Sequence, residues 1–405
     1  MNEMVAGIND PPARVPVVRH HPLFRLYYPV ILLLWPLLLQ SQVIPGAADT
    51  VSYFHLLKGK TIGVVANNAS EVWHGNIVDM LVDKGFNIKR IFSPEHGFRM
   101  NADAGQTIAD ATDPATGIPV VSLYGARQKP TKEDLASLDM IVFDLQDVGV
   151  RFYTYISTLT IVMEACAQNG ISLVLLDRPN PNGFYIDGPV LEKEFTSFVG
   201  MHPVPVVYGM TIGEYGGMVN GEKWLQNGLK CDLKVIRLSN YSHDARVELE
   251  VKPSPNLPNA NAVWLYPSLC LFEGTYFSIG RGTTFPFEVY GHPQMNQGSF
   301  SFTPRSVPGA SLHPPFENRE CHGVDLRGFL VKHPEQLGRI QLGWLLEGFH
   351  SLTPGDFFND YFNKLAGNAT LQRQIREGKS ETEIRASWQN GISRFKKIRK
   401  RYLLY

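Results

Sequence analysis

Glu95 and His96 stand side by side in the stretch Phe92-Ser-Pro-Glu-His-Gly-Phe-Arg99, between Pro94 and Gly97 and just behind the apolar run Phe86-Asn-Ile-Lys-Arg-Ile91. A carboxylate beside an imidazole on a constrained turn has the composition of a general acid/base pair. Comparable polar clusters follow other apolar runs. Asn67 and Ser70 come after Thr61-Ile-Gly-Val-Val-Ala66, while Asp144, Asp147, Arg151 and Tyr153 come after Met140-Ile-Val-Phe143. Asp177, Arg178 and Asn180 come after Ile171-Ser-Leu-Val-Leu-Leu176. Farther along, Glu273 and Arg281 lie in the glycine- and hydroxyl-rich segment 271–288, which suits a ligand lining. Singly, each has a plainer role available: Asp144 or Asp177 can cap a helix or tie down a loop, Arg178 can pair with a neighbouring acid, and Tyr153 can be core. Four clusters behind four strands are harder to assign to structure alone.

The apolar runs are short and rich in β-branched residues, as strands buried on both faces should be. Between them lie helical stripes, such as Trp73, Ile77, Met80 and Leu81, or Ile156, Leu159, Met163 and Cys166 with Gly170 as a stop. This repeating order predicts an α/β fold, a Rossmann-like, doubly wound and mostly parallel sheet. Its strand carboxyl ends share one edge, where open α/β sheets bind their ligands. Pro253-Ser-Pro-Asn-Leu-Pro258 reads as a rigid connector. The expected division is a Rossmann-like catalytic domain over 49–252 and a smaller α+β domain over 253–405 that closes the cleft and includes a helix over 336–350. No glycine fingerprint follows the first strand, so dinucleotide binding is disfavoured.

Thirty-eight basic residues balance thirty-eight acidic ones in the 405, so no global field favours nucleic acid or an anionic membrane. An anionic ligand must be held by local arginines. Arg14, Arg19 and Arg25 precede an apolar run over 26–39, and Gly46-Ala47-Ala48 follows it, which reads as a signal peptide over 1–48. The run is short of the ~20 residues of a membrane span, and Pro29 and Pro36 interrupt it. The expected location is periplasmic or secreted, without stable membrane insertion after cleavage. Four widely spaced cysteines show no metal-ligand pattern. A metal held by His96, Asp144 and Asp147 is the alternative, but neither metal nor cofactor is expected.

Several segments together resemble one family, the exo-β-N-acetylmuramidases. They are Ser93-Pro-Glu-His-Gly97, Ser122-Leu-Tyr-Gly125, Phe143-Asp-Leu-Gln-Asp-Val-Gly149 with Arg151-Phe-Tyr-Thr-Tyr155, Leu176-Asp-Arg-Pro-Asn-Pro181, Gly188-Pro189, and Glu273-Gly-Thr with Gly280-Arg-Gly-Thr-Thr284. The resemblance implies a secreted or periplasmic glycosidase that removes N-acetylmuramic acid from the non-reducing end of peptidoglycan fragments, with its active site in a cleft between two domains. It carries the catalytic glutamate over to Glu95, with His96 beside it. Glycoside hydrolysis normally uses a second carboxylate; Asp144 and Glu273 are the first candidates, and the substrate's own 2-acetamido group is the alternative nucleophile. Asn67, Asp147, Tyr153, Asp177 and Asn180 are then expected to bind substrate. Arg151, Arg178 and Arg281 are the candidates for its lactyl carboxylate. The rival readings are a non-catalytic periplasmic binding protein for a muropeptide or sugar, and a metal-assisted hydrolase of the cell wall.

Overall fold

A computed structural model describes residues 42–73, 75–95, 97–99, 110–125, 127–295, 298–352 and 357–405. Most of the expected signal peptide, and His96, lie outside these residues. The first part of the chain builds β1 (Thr61–Ala66), a small hairpin of β2 (Glu71–Val72) and β3 (Gly75–Asn76), then β4 (Asn87–Ser93), β5 (Ala111–Thr112), β6 (Pro119–Ser122), β7 (Met140–Asp144), β8 (Ser172–Leu176) and β9 (Leu233–Ile236). Seven of these form one sheet in the order β5-β6-β4-β1-β7-β8-β9, in which only the edge strand β5 runs antiparallel. Numbered by chain position, the six parallel strands read 3-2-1-4-5-6, the doubly wound order expected from the sequence. The strand order reverses between β1 and β7.

Side chains alternate across a strand, and here each face feeds its own core. Ile62 and Val64 of β1, with Met140 and Val142 of β7, pack with helices Thr50–Leu57 and Ile77–Asp83. Val65, Ile141 and Phe143 pack on the other face with helix Tyr155–Asn169. Both faces being covered, β7 is buried at all five positions and shows no polar alternation. Local signals hold the helix ends. Thr131 and Asp134 form a capping box, as do Thr211 and Glu214, and Gly170 closes helix Tyr155–Asn169 with φ 67°.

Beyond the proline-rich connector, helix Ala260–Leu269 leads into a three-stranded antiparallel sheet of β10 (Val289–His292), β11 (Phe300–Phe302) and β12 (Cys321–Asp325), in the order β10-β12-β11. The helix expected over 336–350 begins later, as Leu342–Ser351 after a 3-10 turn at Pro334–Gln336. The long helix Glu381–Arg399 follows, and the chain end returns to the first sheet: the Tyr405 hydroxyl accepts from Leu238 N at 2.9 Å and donates to Asp177 at 2.7 Å. Tyr266, Phe272, Phe362 and Trp388 share one hydrophobic core with Phe143 and Tyr155. The two parts are therefore welded by a common interior, and residues 42–405 form one compact unit.

Packing begins ahead of the boundary expected at residue 48. Ile44 pairs with Ser239, the Gly46 amide donates to Asp177 O at 2.9 Å, and Ala47 is fully buried and accepts from the Tyr53 hydroxyl. Residues 42–48 belong to the folded body.

Candidate active site

The turn after β4 is built to hold one carboxylate. Gly97 takes φ 76°, and its amide closes the turn onto Pro94 O at 3.1 Å. Phe98 is buried next to it, and Arg99 bridges Asp79 and Asp113, so the turn is tied down on its far side. Glu95 is left half-buried between donors. Thr154, at the amino end of helix Tyr155–Asn169, donates its hydroxyl to Glu95 Oε2 at 3.3 Å. Tyr124, just beyond β6, also hydrogen-bonds Glu95; burial first, and then the glutamate, push its phenol well above its usual pKa.

Glu95 opens on a small cavity where both parts of the chain and their connector meet. Tyr153 and Tyr155 come from the first part, Asn256 from the connector, and Tyr266, Arg281 and Phe287 from the second. The two tyrosines meet edge to face at 4.7 Å; Asn67 donates to the Tyr155 hydroxyl at 2.7 Å, and Tyr153 donates to Pro253 O at 2.7 Å. Arg281 donates Nε to Glu273 Oε1 at 2.7 Å, and Cys270 Sγ donates to Glu273 Oε2 at 3.3 Å. A wider groove between Phe54 and Phe86, with Lys58, Lys60 and Lys84, opens at the amino ends of β1 and β4. That edge is opposite the polar clusters, and the groove lining has no carboxylate to protonate a leaving group.

A carboxylate held by hydroxyls, with aromatic rings and a guanidinium around one cavity, is the equipment of a carbohydrate site. Family models account for nearly all of the folded body: that for the N-terminal part of exo-β-N-acetylmuramidase NamZ matches residues 62–261, and that for the C-terminal part matches 264–405. The chain belongs to the exo-β-N-acetylmuramidase family. It is 40% identical over 375 residues to the peptidoglycan β-N-acetylmuramidase NamZ of Bacillus subtilis, spanning 87% of this chain and 89% of that protein. Two solved structures of DUF1343 family proteins from Bacteroides fragilis share the fold. One, 46% identical, has a TM-score of 0.84, and the other, 26% identical, has 0.76; each match covers 90% of this chain and 99% of the other.

Within this exo-β-N-acetylmuramidase fold, the residues expected to act together divide into two groups. Glu95, Tyr153 and Arg281 line the cavity, with Glu273 behind Arg281 and Asn67 behind Tyr155. The other described candidates are spent on the fold. Asp144, expected to be catalytic, is fully buried with both oxygens on Arg178, at 2.5 and 2.8 Å, while Arg178 also donates to Glu71 O. The Ser70 hydroxyl seals the same point by donating to Asp144 O. Arg151, expected to meet substrate, is fully buried, and its terminal nitrogens donate to the carbonyls of Pro189, Val204, Leu365 and Ala366 at 2.8–2.9 Å. Burial lowers its pKa to about 9. Gly367 must lack a side chain there, since a Cβ would lie 2.5 Å from Arg151 Nη2.

Asp177 takes four donors, from Arg178 N, the Thr211 hydroxyl, Gly213 N and the Tyr405 hydroxyl, and so fastens a helix start and the chain end to β8; burial nonetheless raises its pKa to about 7. Asn180 donates to Met210 O and accepts from Asn182 N, packed on Gly149. Asp147 accepts from Gly149 N and the Tyr208 hydroxyl, and burial pushes its pKa up to about 6. None of these six faces the cavity. Tyr124, Thr154, Tyr266 and Phe287 are site residues that residue-by-residue reasoning passed over. Tyr124 and Thr154 sit inside the quoted family segments, but a lone hydroxyl at a strand or helix end carries no signal of its own.

Proposed function

We propose that this chain is an exo-acting glycoside hydrolase that releases N-acetylmuramic acid from the non-reducing end of peptidoglycan fragments, with Glu95 as general acid. The observation that carries this reading is the position of Glu95, the carboxylate among the described lining residues, against Tyr124, Thr154 and a cavity walled from both parts of the chain. Its proton passes to the glycosidic oxygen as the bond from that oxygen to C1 breaks, water adds at C1, and the products are the free sugar and a shortened fragment. Asp144 is paired with Arg178, Asp147 is buried outside the cavity lining, and Glu273 is engaged by Arg281 and Cys270. This leaves the 2-acetamido oxygen of the substrate as the group that supports C1 from the other face, with Glu273 acting through Arg281. The arginines and apolar run before residue 40, followed by a folded body that begins near residue 42, support export of the enzyme to the compartment where cell wall is turned over and its fragments are recycled.

The test is release of N-acetylmuramic acid from a muramic-acid-terminated disaccharide by the protein lacking residues 1–41, beside its Glu95→Gln variant. Loss of a general acid is expected to slow release by about 10²–10⁴-fold without lowering the melting temperature. Equal rates would demote Glu95 to structure. Binding of the sugar without turnover by the native protein would favour the binding-protein reading.

A further inference from the structure

Three arginines could have answered the carboxylate of a muramic acid, and the fold leaves one able to do so. Arg151 spends both terminal nitrogens on four backbone carbonyls, and its Nε, though without an acceptor among the described residues, is buried away from the cavity; Arg178 is clamped on Asp144. Arg281 differs in where it stands. It lines the cavity with Glu95, its side chain keeps 19% exposure, and its guanidinium lies 5.0 Å from the Phe287 ring centroid, backed by an apolar surface. Glu273 takes Nε and so fixes the plane of the fork. Nη1 is buried and has no hydrogen-bond acceptor among the described residues. A buried guanidinium N–H without an acceptor is costly, and such a cost is tolerated where a ligand supplies the acceptor.

We infer that Arg281 is the specificity residue of this site, its terminal nitrogens receiving the carboxylate of the lactyl ether that distinguishes N-acetylmuramic acid from N-acetylglucosamine. The inference rests on the glycosidase reading above and adds the group that the enzyme reads. A planar fork matches a carboxylate through two parallel hydrogen bonds, which an ammonium cannot reproduce. Glu273, sharing the guanidinium, is a positioning residue: it holds the fork at the angle the ligand needs and keeps the pair near neutral until the second carboxylate arrives. Gly280 and Gly282, at φ 79° and 80°, turn the chain on both sides of Arg281 so that its side chain projects from a tight loop.

The experiment uses three β-linked 4-nitrophenyl glycosides: the N-acetylmuramide, its lactyl methyl ester and the N-acetylglucosaminide. The native protein is expected to prefer the acid over the other two. In Arg281→Gln, kcat/KM for the acid is expected to fall about 30- to 100-fold further than for the glucosaminide, as loss of a charged hydrogen-bonded pair implies. Arg281→Lys should recover only part of it. An equal fall on all three substrates would overturn the inference, making Arg281 a structural support. So would a native enzyme that cleaves ester and acid alike, a result that does not depend on the variant folding. If the native protein cleaves none of them, the glycosidase reading fails. Calorimetric titration with free N-acetylmuramic acid then decides the role of Arg281: tighter binding to the native protein than to Arg281→Gln sustains it, and equal or absent binding overturns it.

Discussion

The molecule has two crevices where an α/β protein could bind a ligand, and it fills one of them with itself. At the point where strand order reverses, between β1 and β7, doubly wound folds usually admit a nucleotide. Here Asp144 and Arg178 close on each other, Ser70 donates across the gap to Asp144 O, and neither charge reaches solvent to any extent. The cavity between the two parts of the chain has the same pair of residue types, Glu273 and Arg281, yet those side chains keep 26% and 19% exposure, and Arg281 Nη1 still lacks an acceptor among the described residues. An ion pair whose valences are all met is a fastener. One that is partly met and open to a cavity is a receptor, and residue type alone does not distinguish them.

Breaking the sealed pair should have the largest effect. Arg178→Met leaves Asp144 buried without its cation and is expected to cost about 3–5 kcal/mol of unfolding free energy in urea titration. A loss under 1 kcal/mol would mean that the pair does not seal the crevice. The pH dependence of stability sharpens the contrast, because Asp147 is buried nearby without a cation. Its folded pKa of about 6 lies above the unfolded value, so its contribution is complete below about pH 4 and is lost as pH rises through about 6. Asp147→Asn should remove a decline of roughly 2–3 kcal/mol across that window. An unchanged pH profile in the variant would refute the assignment.

A third test concerns the edge of the sealed region. A protein starting at Asp49 lacks Ala47 and the Gly46 contact with Asp177, and should unfold about 1–3 kcal/mol more easily than one starting at Gln42. Equal melting curves would mean that residues 42–48 add nothing to the stability of the fold. The smallest change in stability belongs to the open pair. Glu273→Gln is expected to alter unfolding free energy by less than about 1 kcal/mol, since the pair is partly solvated, while lowering the rate on the muramic substrate about tenfold. A large loss of stability with an unaltered rate would make the two pairs alike and remove the distinction between fastener and receptor.

By itself, the sequence determined the elements and their order. Unbroken apolar runs such as Met140-Ile-Val-Phe143 can only be strands covered on both faces, caps such as Thr131 and Gly170 mark helix ends through local hydrogen bonds and φ preference, and alternation of the two dictates a parallel sheet with its polar loops on one edge. It also singled out Glu95, because Pro94 and Gly97 build the turn that presents it. What remained for the tertiary structure was the assignment of charges among neighbours. Asp144, Asp147, Arg151, Asp177, Arg178 and Asn180 follow strands just as Glu95 does, and nothing local says that Arg151 will meet carbonyls more than two hundred residues away or that Tyr405 will return to Asp177. A polar side chain at a strand end acts on a ligand or on the fold according to whether the rest of the chain buries it or leaves it facing a cavity, and that is a property of long-range packing.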